Sequence, residues 1–363
     1  MMHWKNGALV LSLAALACSG RYEVGAMDAA GGTAAGSPGV GGSSPVEGGS
    51  QNNPTGGNSN GCTAAGAPAV LTGTFVAPNL AWSRVSNMIW GSQHEPPQAL
   101  PETATYEWAG DVVDQAFAEA VADVNGVPGG TFFIEQWLKL DDSTIPLEGD
   151  YEAQLARSSN LVLEVLLRTT WAPDRVGVFS EKAWLARHES IPSRGADISG
   201  AVFSRMIPAP PQGVNRNILD PELPDRTAME AAVSSQVVCT ACHNIMNPLG
   251  YALGHFDRAG DFRELDHDLP IDTTGSTMLS GDVTLEFDGI ADLGEKASNT
   301  CDANLAIVDS FMRVALSSLG YDETFREGAI EANRERVARA YFAGGRSYAA
   351  LVKAFAQSDL VLR

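Results

Sequence analysis

The sequence predicts a mainly α fold, and three observations carry that prediction. Apolar residues recur at helical spacing over long stretches, as in Val112, Val113, Ala116, Phe117, Ala120, Val121 and Val124. Small polar residues followed three positions later by Glu, as in Thr227/Glu230 and Thr324/Glu327, mark helix starts. Strand character is confined to residues 264–288, where Gly, Asp and Thr leave room for short strands at most.

In chain order, Lys5 precedes an apolar run from Ala8 to Ala17 and then Cys18-Ser19-Gly20. This is the pattern of an export signal spanning residues 1–18. Ten apolar residues are too few for a membrane-spanning helix. Ala15-Leu16-Ala17-Cys18 is similar to a bacterial lipoprotein cleavage box, which implies lipidation of Cys18; Ser19 after it implies sorting to the outer membrane. The competing reading is an ordinary secretory signal with an incidental cysteine. Residues 19–61, rich in Gly, Ser, Ala, Pro and Asn, have too little apolar surface to fold. They read as a tether spanning roughly 35 Å.

Two helical domains are expected after it, residues 62–190 and 191–363. In the first, Leu80–Val85 and Met88–Ile89 form a short helix closed by Gly91. Asp111 caps the next helix, which Asn125-Gly126 ends. Phe132–Leu138 and Leu155–Leu167 extend the helical run, and Arg175–Ser190 forms one helix capped by Ser180. In the second, Ile207–Pro211 is a rigid extended segment. Thr227 opens a helix running directly into the next motif. Leu305, Val308, Phe311, Met312 and Ala315 mark another helix; Thr324 and Ser347 open the last two. Aromatic residues at helical spacing read as core.

The stretch with the most specific chemistry is Cys239-Thr240-Ala241-Cys242-His243. Two cysteines two residues apart, with histidine directly after, is the pattern that attaches c-type haem. The thiols form thioethers with the porphyrin vinyl groups, and the imidazole of His243 becomes the iron's proximal ligand. The other nitrogen of that ring is expected to donate to a backbone carbonyl near Pro248. A redox dithiol or disulfide and half of a zinc site, completed by His255 and His267, are the alternatives. Candidates for a second axial ligand are Met278, His255, His267 and Met312, each of which also reads as an ordinary core or loop side chain; Met246 is too close in sequence to cross the ring and reads as core. Five cysteines give one to lipid and two to haem, leaving Cys62 and Cys301 to pair in an oxidising compartment. The alternative is that one or both are free thiols. Asp257 and Arg263 read as a structural ion pair.

With 24 Lys+Arg against 44 Asp+Glu, the net charge of −20 argues against nucleic acid and favours basic partners. No GxSxG elbow, Walker loop or zincin pattern is present.

Together Cys239, Cys242, His243, Pro248, Gly250, Phe256, Asp257, Gly260 and Arg263, continuing through Ile271-Asp272 and Gly275, resemble a planctomycete-type, cytochrome c-like domain-of-unknown-function family of exported bacterial proteins. Flanking matches are Arg194-Gly195, Phe133–Leu138 and Ser347–Arg363. That family usually carries Asp at the position of Asn247 and an acidic residue at that of Gly254. The resemblance implies haem c and export, and supplies no reaction. The sequence therefore points to an exported, lipid-anchored electron-transfer protein on the periplasmic or cell-surface side of the outer membrane, serving an unidentified redox partner protein. A haem-dependent oxidoreductase or peroxidase-like enzyme, and a haem-free surface lipoprotein with a structural CxxC disulfide, are the competing readings.

Overall fold

The computed structural model describes residues 74–123, 127–140, 143–157, 161–208 and 219–363, all within one unit of the chain, Asn52–Arg363. The expected signal, tether, Cys18 and Cys62 lie outside the described residues. The fold is mainly α, and among the described residues the strands form only two-stranded antiparallel hairpins beside the helices. Among the described residues no helix is long and apolar enough to cross a membrane.

The first helices are α1 (Pro78–Ser83) and α2 (Asn87–Trp90), the latter closed by Gly91 in the left-handed region. Helix α3 (Tyr106–Ala122) begins earlier than expected. Thr105 Oγ1 accepts from the Trp108 N–H, so Thr105 and not Asp111 is its cap. Its expected Asn125-Gly126 end lies outside the described residues. Next come α4 (Pro128–Trp137), α5 (Tyr151–Leu155) and α6 (Val162–Arg168). The single Leu155–Leu167 stretch is thus two helices.

The expected helix over Arg175–Ser190 is not one element. A small hairpin, β1 (Thr170–Ala172) and β2 (Arg175–Val176), leads through Gly177 into a 3-10 turn at Val178–Ser180 and then α7 (Lys182–Leu185). Ser180 is buried and donates to the Gly177 carbonyl, so it closes the turn; Glu181 is the residue before α7. The physical reason is long-range. Arg175, buried, donates to the carbonyls of Ser180 at 2.6 Å and Gly260 at 2.5 Å, which fixes this backbone in a non-helical path.

Helix α8 (Ile191–Phe203) starts at a capping box made by Ser190 and Ser193. Part of the Pro-rich segment expected at Ile207–Pro211 lies outside the described residues. Helix α9 (Asp225–Ser235) starts two residues before Thr227, whose hydroxyl is not the cap; the Asp225 N–H donates instead to Asp266 Oδ2. It does not run unbroken into the motif helix. Gln236 leaves the helical region, and α10 (Val237–Tyr251) begins after it. Hairpins β3 (Leu265–Asp266) with β4 (Leu269–Pro270), and β5 (Thr274–Leu279) with β6 (Val283–Asp288), follow. Then come α11 (Gly289–Ser298), α12 (Cys301–Ser318), α13 (Glu323–Ala343), α14 (Tyr348–Ala356) and α15 (Asp359–Leu362). Asp322, not Thr324, caps α13, and Ser347 caps α14.

One core cluster gathers residues from before and after position 190. Phe133, Trp137, Phe311, Tyr348 and Phe355 meet there, and the Tyr348 hydroxyl lies 2.8 Å from the carbonyls of Met88 and Gly129. Val76 N–H donates to the Leu362 carbonyl at 2.9 Å, and Arg84 to those of Leu360 and Val361. Helices α8 and α10 approach closely because each offers a glycine to the other. An ideal Cβ on Gly195 would lie 1.6 Å from the Met246 carbonyl oxygen, and one on Gly250 2.1 Å from that of Ile191.

Candidate functional site

Helix α10 carries Cys239, Cys242 and His243 in its first two turns. Positions 239 and 243 are four apart and 239 and 242 three apart, so the three side chains share one side of the helix. Both thiols are unpaired and half-buried. Their surroundings are open: Val237 is 86 % exposed, and Val238 and Ile245 are also exposed. From Met246 onward the same helix is buried, with Met246, Asn247, Leu249, Gly250 and Tyr251 all covered.

His243 lies at a cavity of about 720 Å³ between α9, α10, the β5–β6 hairpin and α11. Val233, Pro248, Tyr251 and Phe287 give it apolar wall; Arg226, Glu230, Glu286, Asp288, Asp292 and Lys296 give it charge. Neither thiol is part of that wall. His243 Nδ1 lies 2.9 Å from Asn247 Oδ1. An amide oxygen only accepts, so Nδ1 donates to it, and in the neutral ring Nε2 is the nitrogen left with a lone pair. The expected backbone acceptor near Pro248 is therefore corrected. The helix continues through Pro248 to Tyr251, and the residue one turn after His243 supplies the oxygen instead.

Tyr251, one further turn along, lies under the Arg226 guanidinium, 4.3 Å from ring centroid to Cζ. Burial, with Glu230 nearby, pushes its hydroxyl up to about 12, so it is a neutral phenol. Arg226 is itself held by Glu230 and Asp272 and by the carbonyls of Asp272 and Thr274.

The candidates for a second axial ligand sit elsewhere. Met312 and Met246 are buried, and Met278 is half-exposed with its sulfur accepting from Thr284 Oγ1. His255 Nδ1 donates to the Arg263 carbonyl at 2.9 Å. His267 engages Asp266 and the Pro221 carbonyl through its two nitrogens, hydrogen bonds that raise its pKa. None of these residues lines the cavity. Among the described residues no group of three or more His, Cys, Asp or Glu is placed to hold a metal ion, so His255 and His267 do not complete a zinc site with the thiols.

The loop after α10 is held by two buried arginines. Arg194 donates to the carbonyls of His188, Leu253, Phe256 and Asp257, and Arg175 reaches Gly260. Burial pulls the Arg194 guanidinium down to about 10, which still leaves it charged at neutral pH. Asp257 does not pair with Arg263, as its Oδ1 accepts from the N–H groups of Ala259 and Asp261 in its own turn. Arg263 pairs with Asp225 at 2.6 Å and Asp266 at 3.0 Å.

Comparison with known families bears on this region. The family model described as PSCyt3, protein of unknown function (DUF1588), matches residues 175–266. That is about a quarter of the chain, and it is consistent with a planctomycete cytochrome-like domain family. No curated protein and no solved structure matches the chain. The matched stretch begins at Arg175, which holds the Gly260 carbonyl, and ends at Asp266, which accepts from the first N–H of α9.

Cys301, on the first turn of α12, is disulfide-bonded. Its expected partner, Cys62, lies outside the described residues. Asn247, Tyr251 and Arg226 were not singled out from the sequence as site residues. The signal for the first two was the spacing 243, 247, 251, which becomes visible once the helix is continued past Pro248.

Proposed function

We propose that this chain is an exported, membrane-tethered c-type haem protein acting in electron transfer. The observation that carries the reading is the donor set on α10. Two unpaired, half-exposed thiols stand beside an imidazole whose Nδ1 is already satisfied and whose Nε2 is free. That set fits a covalently attached haem. Cys239 and Cys242 would hold the macrocycle as thioethers, and His243 Nε2 would ligate the iron. When bound, haem c supplies a one-electron redox couple. The exposed flank of Val237, Val238 and Ile245 keeps this end of the helix accessible for attachment. The match to residues 175–266 supports a cytochrome-like character.

Export and anchoring through Cys18 rest on the sequence, and the disulfide at Cys301 is in keeping with an oxidising compartment and with pairing to Cys62. The net charge of −20 favours a basic redox partner protein, and the membrane is met through the lipid. A second reading, a haem-dependent oxidoreductase or peroxidase-like enzyme, draws on the cavity, whose lining among the described residues holds no methionine and no histidine besides His243.

The test is a pyridine haemochrome spectrum and haem staining of the denatured band, using protein matured in an export-competent host. The wild type should give the thioether haem band, and the Cys239→Ala/Cys242→Ala double variant should lose it. A double variant that still stains, or a wild type that never does, ends the proposal; the latter favours a haem-free surface lipoprotein. Carbon monoxide binding to the ferrous protein would select the enzyme reading over the carrier.

A further inference from the structure

We propose that Asn247 is the positioning residue of this site: its buried carboxamide, set between His243 and Tyr251 on the helix, fixes the imidazole in its Nδ1–H tautomer and reserves Nε2 for a metal. The identity of that metal as haem iron rests on the reading above; the tautomer does not.

The argument starts from helix geometry. Positions 243, 247 and 251 are successive turns of α10 on one face, and all three line the same cavity. Asn247 is 5 % exposed, so both ends of its amide need partners. Its oxygen takes the His243 Nδ1–H at 2.9 Å. Its other end faces the Tyr251 hydroxyl, an interaction that works to lower the phenol's pKa against the burial that raises it. Turning the amide over would set NH₂ against the N–H of His243. Tyr251 is in turn held in place by the Arg226 guanidinium on its ring, and Arg226 by Glu230 and Asp272. The result is a column, Arg226–Tyr251–Asn247–His243, that ties α9 to α10.

A histidine without such a partner favours the proton on Nε2, the nitrogen a metal needs bare. The hydrogen bond made by one ring nitrogen decides what the other can do. A merely structural buried asparagine would leave the tautomer free. One such bond changes a tautomer ratio by about fivefold to tenfold.

The experiment uses the full-length chain, made haem-free in the cytosol with ¹⁵N-labelled histidine, at a pH where the ring is neutral. His243 should appear as the Nδ1–H tautomer. Asn247→Leu should shift the ratio about fivefold or more towards Nε2–H, and Asn247→Asp, which keeps an acceptor, should restore it. A wild type dominated by Nε2–H, or a ratio unmoved in a folded Asn247→Leu protein, overturns the proposal. The wild-type spectrum needs no variant, so misfolding of Asn247→Leu leaves the test intact. In the haem-loaded protein, Asn247→Asp should lower the midpoint potential, because a carboxylate makes the imidazole a stronger donor; an unchanged potential also overturns the role. The Nδ1–H tautomer in a chain that never takes up haem would uphold Asn247 and overturn the haem reading instead.

Discussion

The two halves of α10 are built for opposite purposes. Residues from Met246 to Tyr251 are buried, with Gly195 and Gly250 bringing α8 and α10 backbone to backbone, and the loop that follows is clamped by Arg194 and Arg175. Residues Val237 to Ile245 stand mostly in solvent with two free thiols. The contrast teaches that the C-terminal half holds the helix in position, so the N-terminal half can stay open to chemistry without losing its direction. His243 sits at the border, its ring fixed from the buried side by Asn247.

That division can be broken most forcefully at Gly195. Gly195→Ala puts a methyl group into the Met246 carbonyl and should cost at least ~3 kcal/mol, read by urea unfolding. A cost below ~1 kcal/mol would show that the close approach is not what positions the helix. Arg194→Met, which fills similar space with no donors, should cost about 3 kcal/mol, because the carbonyls of His188, Leu253, Phe256 and Asp257 lose their partner.

A smaller effect sharpens the picture of the buried body. Glu181 is fully covered and accepts from the N–H groups of Glu148 and Gly149, yet burial raises its pKa above the usual 4.5. A raised carboxyl pKa means that the folded state holds its proton more tightly than the unfolded chain. The resulting stabilisation is fully present below 4.5 and is lost as pH rises through the folded value. The unfolding free energy of wild type relative to Glu181→Gln should therefore increase as pH is lowered from 7 towards 4.5. A flat difference would count against the burial. Smallest of all, the Cys239→Ala/Cys242→Ala change in the haem-free chain should alter stability by less than ~0.5 kcal/mol, since both thiols are only half-buried.

The parts of this molecule legible in the sequence are those dictated locally. Helices α3, α4 and α12 follow from apolar periodicity, and the start of α14 from Ser347. The motif on α10 was legible as a motif. Arg175–Ser190 was misread because its path is set by a guanidinium reaching a carbonyl 85 residues away, and no local pattern records that. The Asp257–Arg263 pair failed for a similar reason: Asp257 is used up by its own turn, and Arg263 finds its carboxylates at positions 225 and 266. The cavity wall opposite His243, with Glu286, Asp288, Asp292 and Lys296 from a hairpin and a following helix, comes from tertiary placement alone.

The seam between residues 76–84 and 360–362 sets an order of events. Val76 and Arg84 find their carbonyl partners more than 270 residues later. A chain made or threaded through a membrane from its beginning cannot close this seam until residue 362 has emerged. Helix α10 arrives more than a hundred residues earlier. For that interval the two thiols and their imidazole are presented on an unfinished body, and under the proposed function that is when a haem-attachment enzyme would have the freest approach.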